Sequence, residues 1–480
     1  MTEQSLKDKT AKGLFWGGVS NGVQQILALL FGIFLSRILS PGDYGMVGML
    51  AIFTGFANAL QESGFSAALT NKLDIKHEDY NSVFWFNIVV GIGLYVILFF
   101  SAPLIAVFFD QPDLLWVSRI VFLSFLFGCF GTAQAAYLFK NLMVKERAKI
   151  DIYALLLSNT AALIMALNGM AYWGIAIQGV LYICLGTFLR WYYSPWRPTF
   201  SFNLQPLREM FPFSARLLLT NLFSQMSTNI FSILLGKFYT VQQVGYYSQG
   251  YKWMNMGGSF ITGMVSGVAQ PVFAQVSYEK ERQVQVLRKM IRFTAFISFP
   301  LMLGMALVAN ELILITVTEK WAPCVPILQL LCVWGAFSPI CELYKNIVIS
   351  HGRSNIYLYA NVIFGILQIL LLIIMLPYGI LWMVAAYVVA YLCWLLVWHC
   401  FASRLIGITL YNVIKDVFPY FLITLSVLGC AWWVSFFSGN IYIRFALKII
   451  VSVILYIGVI WKTQSVIFRE CIEFIWKKRK

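Results

Sequence analysis

Seven ionisable side chains stand out within runs of apolar residues: Glu62, Arg119, Arg216, Lys252, Glu342, Lys345 and Lys448. Arg37 and Lys237 stand at the ends of two further runs. A charge at the centre of a bilayer costs about 2.5–3.5 kcal/mol on insertion scales, so each is expected to face protein or a wet cavity. The chemistry they offer is binding: most are cations, and a cation at that depth neutralises an anionic group that has left bulk water. Lys345, Arg216 and Lys448 lie within reach of an interface and can snorkel, so alanine at Lys448 is expected to matter little. Glu342 and Lys345, at i,i+3, can simply pair with each other. Lys252 sits about two helical turns into its run with no acid nearby in sequence. It is the strongest candidate to touch an anion.

Two polar stripes accompany these charges. Asn21, Gln25, Ala28, Gly32 and Ser36 share one helical face, and Asn221, Gln225, Thr228, Ser232 and Gly236 repeat it two hundred positions later. Small residues on such a face pack helices tightly; Asn and Gln at matching depths also suit a hydrated cavity able to hydrogen-bond sugar hydroxyls or phosphate oxygens. No catalytic constellation is present. His77, His351 and His399 each lack a second ligand at metal spacing, no Gly-rich nucleotide loop occurs, and no cofactor or metal is expected. The nine cysteines show no CxxC spacing and read as small core residues.

The elements that must position these residues are membrane helices. With 60% hydrophobic and 11% charged residues, a soluble chain of this length would have too little polar surface to cover itself. Unbroken apolar runs of helical length exclude a β-barrel. The runs are approximately 13–38, 45–69, 82–109, 113–138, 150–168, 171–194, 212–236, 244–273, 287–309, 322–350, 354–376, 379–402, 414–437 and 441–461, which makes fourteen spans. Of the 35 Lys and Arg, twenty-six fall in connections expected on one side and only Arg37, Lys237, Lys320 and Arg444 on the other. The positive-inside rule then places both termini in the cytoplasm, and the net charge of +15 is explained by topology and anionic lipid without nucleic acid. No cleavable signal is expected before the first full-length run.

Residues 14–47 recur at 214–247 without a gap. Asn21, Gln25, Phe31, Ile33, Leu35 and Gly45 return as Asn221, Gln225, Phe231, Ile233, Leu235 and Gly245, and Arg37 as Lys237. One register and one order of polar stripe, apolar helix, basic end and turn indicate a duplicated membrane unit, and two such halves around a cavity are the plan of an alternating-access transporter. The expected domains are an N-terminal lobe at 1–194, a cytoplasmic linker at 195–211, a C-terminal lobe at 212–403, two further helices at 404–463 and a basic tail at 464–480 lying along the inner membrane face.

The segments LSRILSPGDYGMVGM, QESGFSAALTNK, APLIAVFFDQPDL, LFKNLMVKERAKIDI and LLGKFYTVQQVGYYSQGYKW resemble, in order and spacing, the Wzx-type polysaccharide exporters of the multidrug, oligosaccharidyl-lipid and polysaccharide (MOP) exporter superfamily. The likeness covers the first half and continues to about Gln275. It implies an all-α membrane fold of two pseudo-symmetric lobes around a central cavity, in the bacterial inner membrane. The implied activity is flipping an undecaprenyl-pyrophosphate-linked oligosaccharide for surface polysaccharide synthesis, alongside a polymerase and export machinery. By position, Arg37 and Lys237 match basic residues at the ends of the family's first and seventh helices, Lys252 the basic residue after the GYYS-like segment, and Glu62 a position usually held by Asp. Phe231 replaces an acid and Gln249 a base, which removes charges an ion-coupling scheme would use. The cavity set is then Lys252, Arg37, Lys237, Arg216, Arg119, Asn21, Gln25, Asn221, Gln225 and Glu62. A cation-coupled multidrug exporter of the same superfamily would prefer more than the two intramembrane acids counted here; a membrane glycosyltransferase or polymerase would need longer outer loops.

Overall fold

In lipid a backbone must satisfy its own hydrogen bonds, and along apolar runs of this length the helix is the way to do so. The computed structural model describes the backbone of residues 3–469 except 63–64, 66–67, 70–71, 73–74, 276–278 and 464–466. Every one of the fourteen expected stretches contains helix. The elements are α1 (Glu3–Ile38), α2 (Pro41–Gly48), α3 (Ala51–Glu62), α4 (His77–Phe109), α5 (Leu114–Cys129), α6 (Thr132–Lys140), α7 (Val144–Leu167) and α8 (Ala171–Tyr193). They continue as α9 (Leu204–Phe238), α10 (Val241–Gln275), α11 (Lys280–Val317), α12 (Cys324–Ser350), α13 (Ser354–Met375), α14 (Ile380–Ile406), α15 (Leu410–Phe436) and α16 (Ile441–Lys462). Among the described residues ten helices are long and apolar enough to cross a membrane, or eleven if α5 with α6, bent by 49°, is one span. The other expected spans are taken by the broken pair α2 and α3 and by α9 and α10, each 35 residues long.

The chain forms two compact units, Met1–Gly245 and Tyr246–Lys480. In the first, α7 packs along α8 and α1, α4 along α5, and α9 against α3 and α4. Leu35 and Leu39 of the first helix and its connection meet Ala162 and Ala166 in a small core. In the second, α11 packs on α12, α15 and α16, while α14 packs on α12 and α13.

The duplicated segments build the same local structure twice. Ser40 caps α2 in a reciprocal box: its hydroxyl accepts from the Asp43 amide at 3.3 Å, while Asp43 Oδ2 accepts from the Ser40 amide at 2.8 Å. Two hundred positions later Thr240 and Gln243 repeat the exchange, at 3.4 and 3.2 Å, where α10 begins. Beyond the boxes the two helix starts cross. A Cβ on Gly45 would sit 1.9 Å from the Val241 carbonyl oxygen, and one on Gly245 would sit 1.9 Å from that of Pro41. Because Pro41 and Val241 are themselves repeat partners, the contact is exchanged reciprocally, as an internal two-fold requires.

The connection between α8 and α9 is strapped to the start of α4. Thr199 donates its amide to Asn81 Oδ1 at 2.8 Å, Trp85 Nε1 donates to the Thr199 carbonyl at 2.8 Å, and Trp196 Nε1 donates to His77 Nδ1 at 3.1 Å. α9 begins at Leu204, eight residues before the expected apolar run, because the amide that Pro206 lacks lies in the first helical turn, where it would have no partner anyway. The tail beyond 469 lies outside the described residues. Cys129, Cys324, Cys332 and Cys341 are buried as core residues, whereas Cys393, Cys400 and Cys430 are exposed, against expectation, because they fall on outward faces of α14 and α15.

Candidate functional site

α1 presents two different surfaces. Asn21 and Gln25 are exposed on one face; Ile26, Leu30 and Phe34 are exposed on a roughly opposite one. Apolar side chains are at ease against lipid, but amides there are not, so the polar face demands a hydrated surrounding. Toward its end the same stripe turns into packing surface: Ser36 is fully buried and shares a 3.0 Å hydrogen bond with Tyr44.

On α9 the matching stripe behaves differently. Gln225 is half-buried, and its Oε1 accepts from Asn229 Nδ2 at 3.1 Å. Both amides crowd Gly55 of α3, where a Cβ would meet Gln225 Oε1 at 2.7 Å. Asn221 is half-buried. Farther along, Gly236 lies against Phe109 and Met49, so this end also packs through small size.

Arg37 and Lys237 are exposed in the last turns of α1 and α9, where the partial negative charge of a helix end favours a cation. Lys237 donates to the Phe108 carbonyl at 2.7 Å and sits 5.1 Å from that ring's centre. Arg119 is held between aromatic faces, 4.2 Å from the Phe99 centroid and 5.0 Å from that of Trp116. Lys252 is half-buried on α10 in the second unit. The side chains of Glu62 and Arg216 lie outside the described residues. Of the expected set, Asn21 and Gln25 are both exposed on one face of α1, whereas Gln225 is engaged by Asn229, which lies outside that set.

Three features escaped the sequence. Lys448 does not snorkel: it is 6% exposed and donates to both carboxylate oxygens of Glu311, at 2.8 and 2.9 Å, and to the Leu307 carbonyl at 3.1 Å. Glu311 lies beyond 309, the expected end of its span, but within α11, which runs on to Val317. A second acid, the buried Asp416 of α15, takes a two-pronged contact from Arg288 at 2.6 and 3.1 Å, with Arg292 at 3.8 Å. The acids within helices therefore exceed the two counted from sequence. The third is the set of histidine partners: His77 with Trp196, His351 with Gln283 at 2.9 Å, and His399 with Tyr344 at 3.1 Å. Glu342 and Lys345 pair at 2.6 Å, as their spacing allowed. Phe231 and Gln249, where charges are missing, are both buried.

Helical units of this composition and the internal repeat define a polytopic all-α membrane protein. Its fold is similar to that of the lipid II flippase MurJ in an inward closed conformation, with a TM-score of 0.76 at 15% identity over 95% of this chain and 99% of that one. It is also similar to an inward-facing multidrug resistance MATE family transporter of the MOP superfamily, with a TM-score of 0.64 at 17% identity over 80% and 95% of the two chains. The sequence is 27% identical to the teichuronic acid biosynthesis protein TuaB of Bacillus subtilis (strain 168) over 97% of this chain and 99% of that protein. It is 24% identical to the lipopolysaccharide biosynthesis protein WzxC of Escherichia coli (strain K12), over 75% and 73% of the two chains. Residues 34–326 match the polysaccharide biosynthesis protein family, and the chain belongs to it.

Proposed function

We propose that the protein flips undecaprenyl-pyrophosphate-linked oligosaccharide units across the bacterial inner membrane by alternating access, as a non-enzymatic step of surface polysaccharide synthesis. The observation that carries this reading is the exposed amide face of α1, Asn21 with Gln25, on a helix whose other exposed face is apolar. A hydrated surface within membrane helices suits a cargo rich in hydroxyls. In the second unit an apolar cavity of about 270 Å³, lined by Phe337, Ile340, Leu395, Val413 and Phe418, is chemically suited to an isoprenoid chain. The lobes of this reading are 1–194 and 212–403 joined by 195–211, with both termini cytoplasmic, and a polymerase and export machinery are its functional neighbours.

The pyrophosphate brings about two negative charges into a medium of low effective dielectric, so fixed cations must meet it. Lys252 is assigned that part in the second unit, and Arg37, Lys237 and Arg119 are the candidate cations of the first; Asn21 and Gln25, with Asn221, are assigned to the sugar-facing surface. Lysine offers a point charge on a flexible stem, which suits a site that must release its cargo. Complementation of a flippase-null strain tests this, with membrane abundance followed by blot. Lys252→Ala is expected to abolish polysaccharide export at normal abundance and Lys252→Arg to retain part of it. Full export by Lys252→Ala would remove Lys252 from the site.

A further inference from the structure

We propose that the end of the second unit where α11 and α15 finish and α16 begins is a binding site for the phosphate of an anionic phospholipid headgroup. A cavity of about 360 Å³ opens there, and its lining includes Asn310, Glu311, Gln329, Trp432, Arg444 and Lys448. Its charges do not cancel. Glu311 is committed to Lys448 at 2.8 and 2.9 Å, and Arg444 forms no ion pair among the described residues. Arg444 Nε and Nη2 donate to the Ser438 carbonyl at 3.3 and 2.9 Å, which fixes the guanidinium plane. A guanidinium has five N–H donors, so Nη1 and the second Nη2 hydrogen remain for another acceptor. Two tetrahedral oxygens match that fork better than a single carbonyl does.

Depth favours a lipid. Arg444 is the fourth residue of α16 and Glu311 lies six residues before the end of α11, so the lining sits about 5–10 Å below the helix ends at 1.5 Å per residue. With these helix ends at the membrane surface, that is the level of the headgroup boundary. Trp432 and Phe436, 54% and 69% exposed, flank the opening as aromatic side chains do at this level. Buried Glu311 and Lys448, at 2% and 6% exposure, make the floor a built polar surface in place of a fortuitous gap between side chains.

Thermal unfolding of the full-length protein in a neutral detergent, with phosphatidylglycerol or with the same concentration of inorganic phosphate, decides the assignment. Phosphatidylglycerol is expected to raise the midpoint of the wild type by several degrees, since a ligand that binds the folded state stabilises it by mass action. Arg444→Gln should lose more than half of that rise, Gln329→Leu a smaller part, and Arg444→Lys should keep most of it. Arg282→Gln, an exposed site at the other end of α11, should keep all of it. Should Arg444→Gln fail to fold, the Gln329→Leu and Arg282→Gln pair carries the test alone. An equal rise in wild type, Arg444→Gln and Gln329→Leu would overturn the proposal, as would no rise at all. A rise with inorganic phosphate matching that with lipid would overturn the lipid assignment.

Discussion

At the scale of residues, what matters most is which charges are committed to each other. Lys448 and Glu311 lie 137 positions apart yet meet at 2.8 Å inside the second unit. Removing one partner of a buried pair leaves the other uncompensated, at a cost of about 3–5 kcal/mol. Lys448→Ala is therefore expected to cut membrane abundance and lower the unfolding midpoint sharply, while the double change Glu311→Leu, Lys448→Met recovers much of the loss. A single variant as stable as wild type in a detergent thermal scan would refute the pairing. His351 supplies a pH dependence. Burial first, then the nearby Lys280 and Arg353 charges, hold its pKa below the ordinary 6.5. The folded protein then resists protonation that the unfolded chain accepts. Its contribution is intact above about pH 6.5 and is lost as pH falls through the lowered folded value. His351→Gln should flatten the acid limb of a stability-against-pH curve measured between pH 7.5 and 5.

At the scale of elements, the crossing of α2 with the start of α10 is the most constrained contact described. A methyl group on Gly45 or Gly245 would fall 1.9 Å from a backbone oxygen, which only displacement of a helix start relieves. Gly45→Ala and Gly245→Ala should each destabilise the protein. Because one displacement relieves both clashes, the double variant should cost clearly less than the sum of the singles. Gly18→Ala, on a face with nothing within 4 Å, should be neutral or slightly stabilising through helix propensity. Strict additivity of Gly45→Ala and Gly245→Ala in chemical or thermal unfolding would show that the two contacts act separately.

At the scale of the whole molecule, charge distribution and function meet in topology. Single cysteines near Pro41, Gln111, Gly169, Thr240, Lys320, Tyr378 and Asn440 should label from outside intact cells, and those near Lys76, Lys145, Pro198, Arg282, Arg353 and Leu410 should not. Reversal at any two adjacent sites would remove a pair of spans and with it the argument from the repeat. In the same format, cysteine at Gln25 should react with a small aqueous thiol reagent, since its face is exposed; complete protection in an active protein would make that face a lipid or packing surface.

The sequence by itself determined the class, the fourteen helical stretches, the duplication and the family. These properties are local or periodic: unbroken apolar length forces helices, and a fixed offset of two hundred survives in side-chain identity even where only six positions are unchanged among those named. It also read the Glu342–Lys345 pair, because three residues along a helix fix the geometry in advance. Other relations needed the fold. Nothing local marks Glu311 as the partner of Lys448 or Asp416 as that of Arg288, since helices packed side by side join residues more than a hundred positions apart. Nor does a helical wheel separate Gln25, exposed on α1, from Gln225, pressed against Gly55: the two stripes are alike in sequence, and only the neighbour that each helix meets makes one an open surface and the other a packed one.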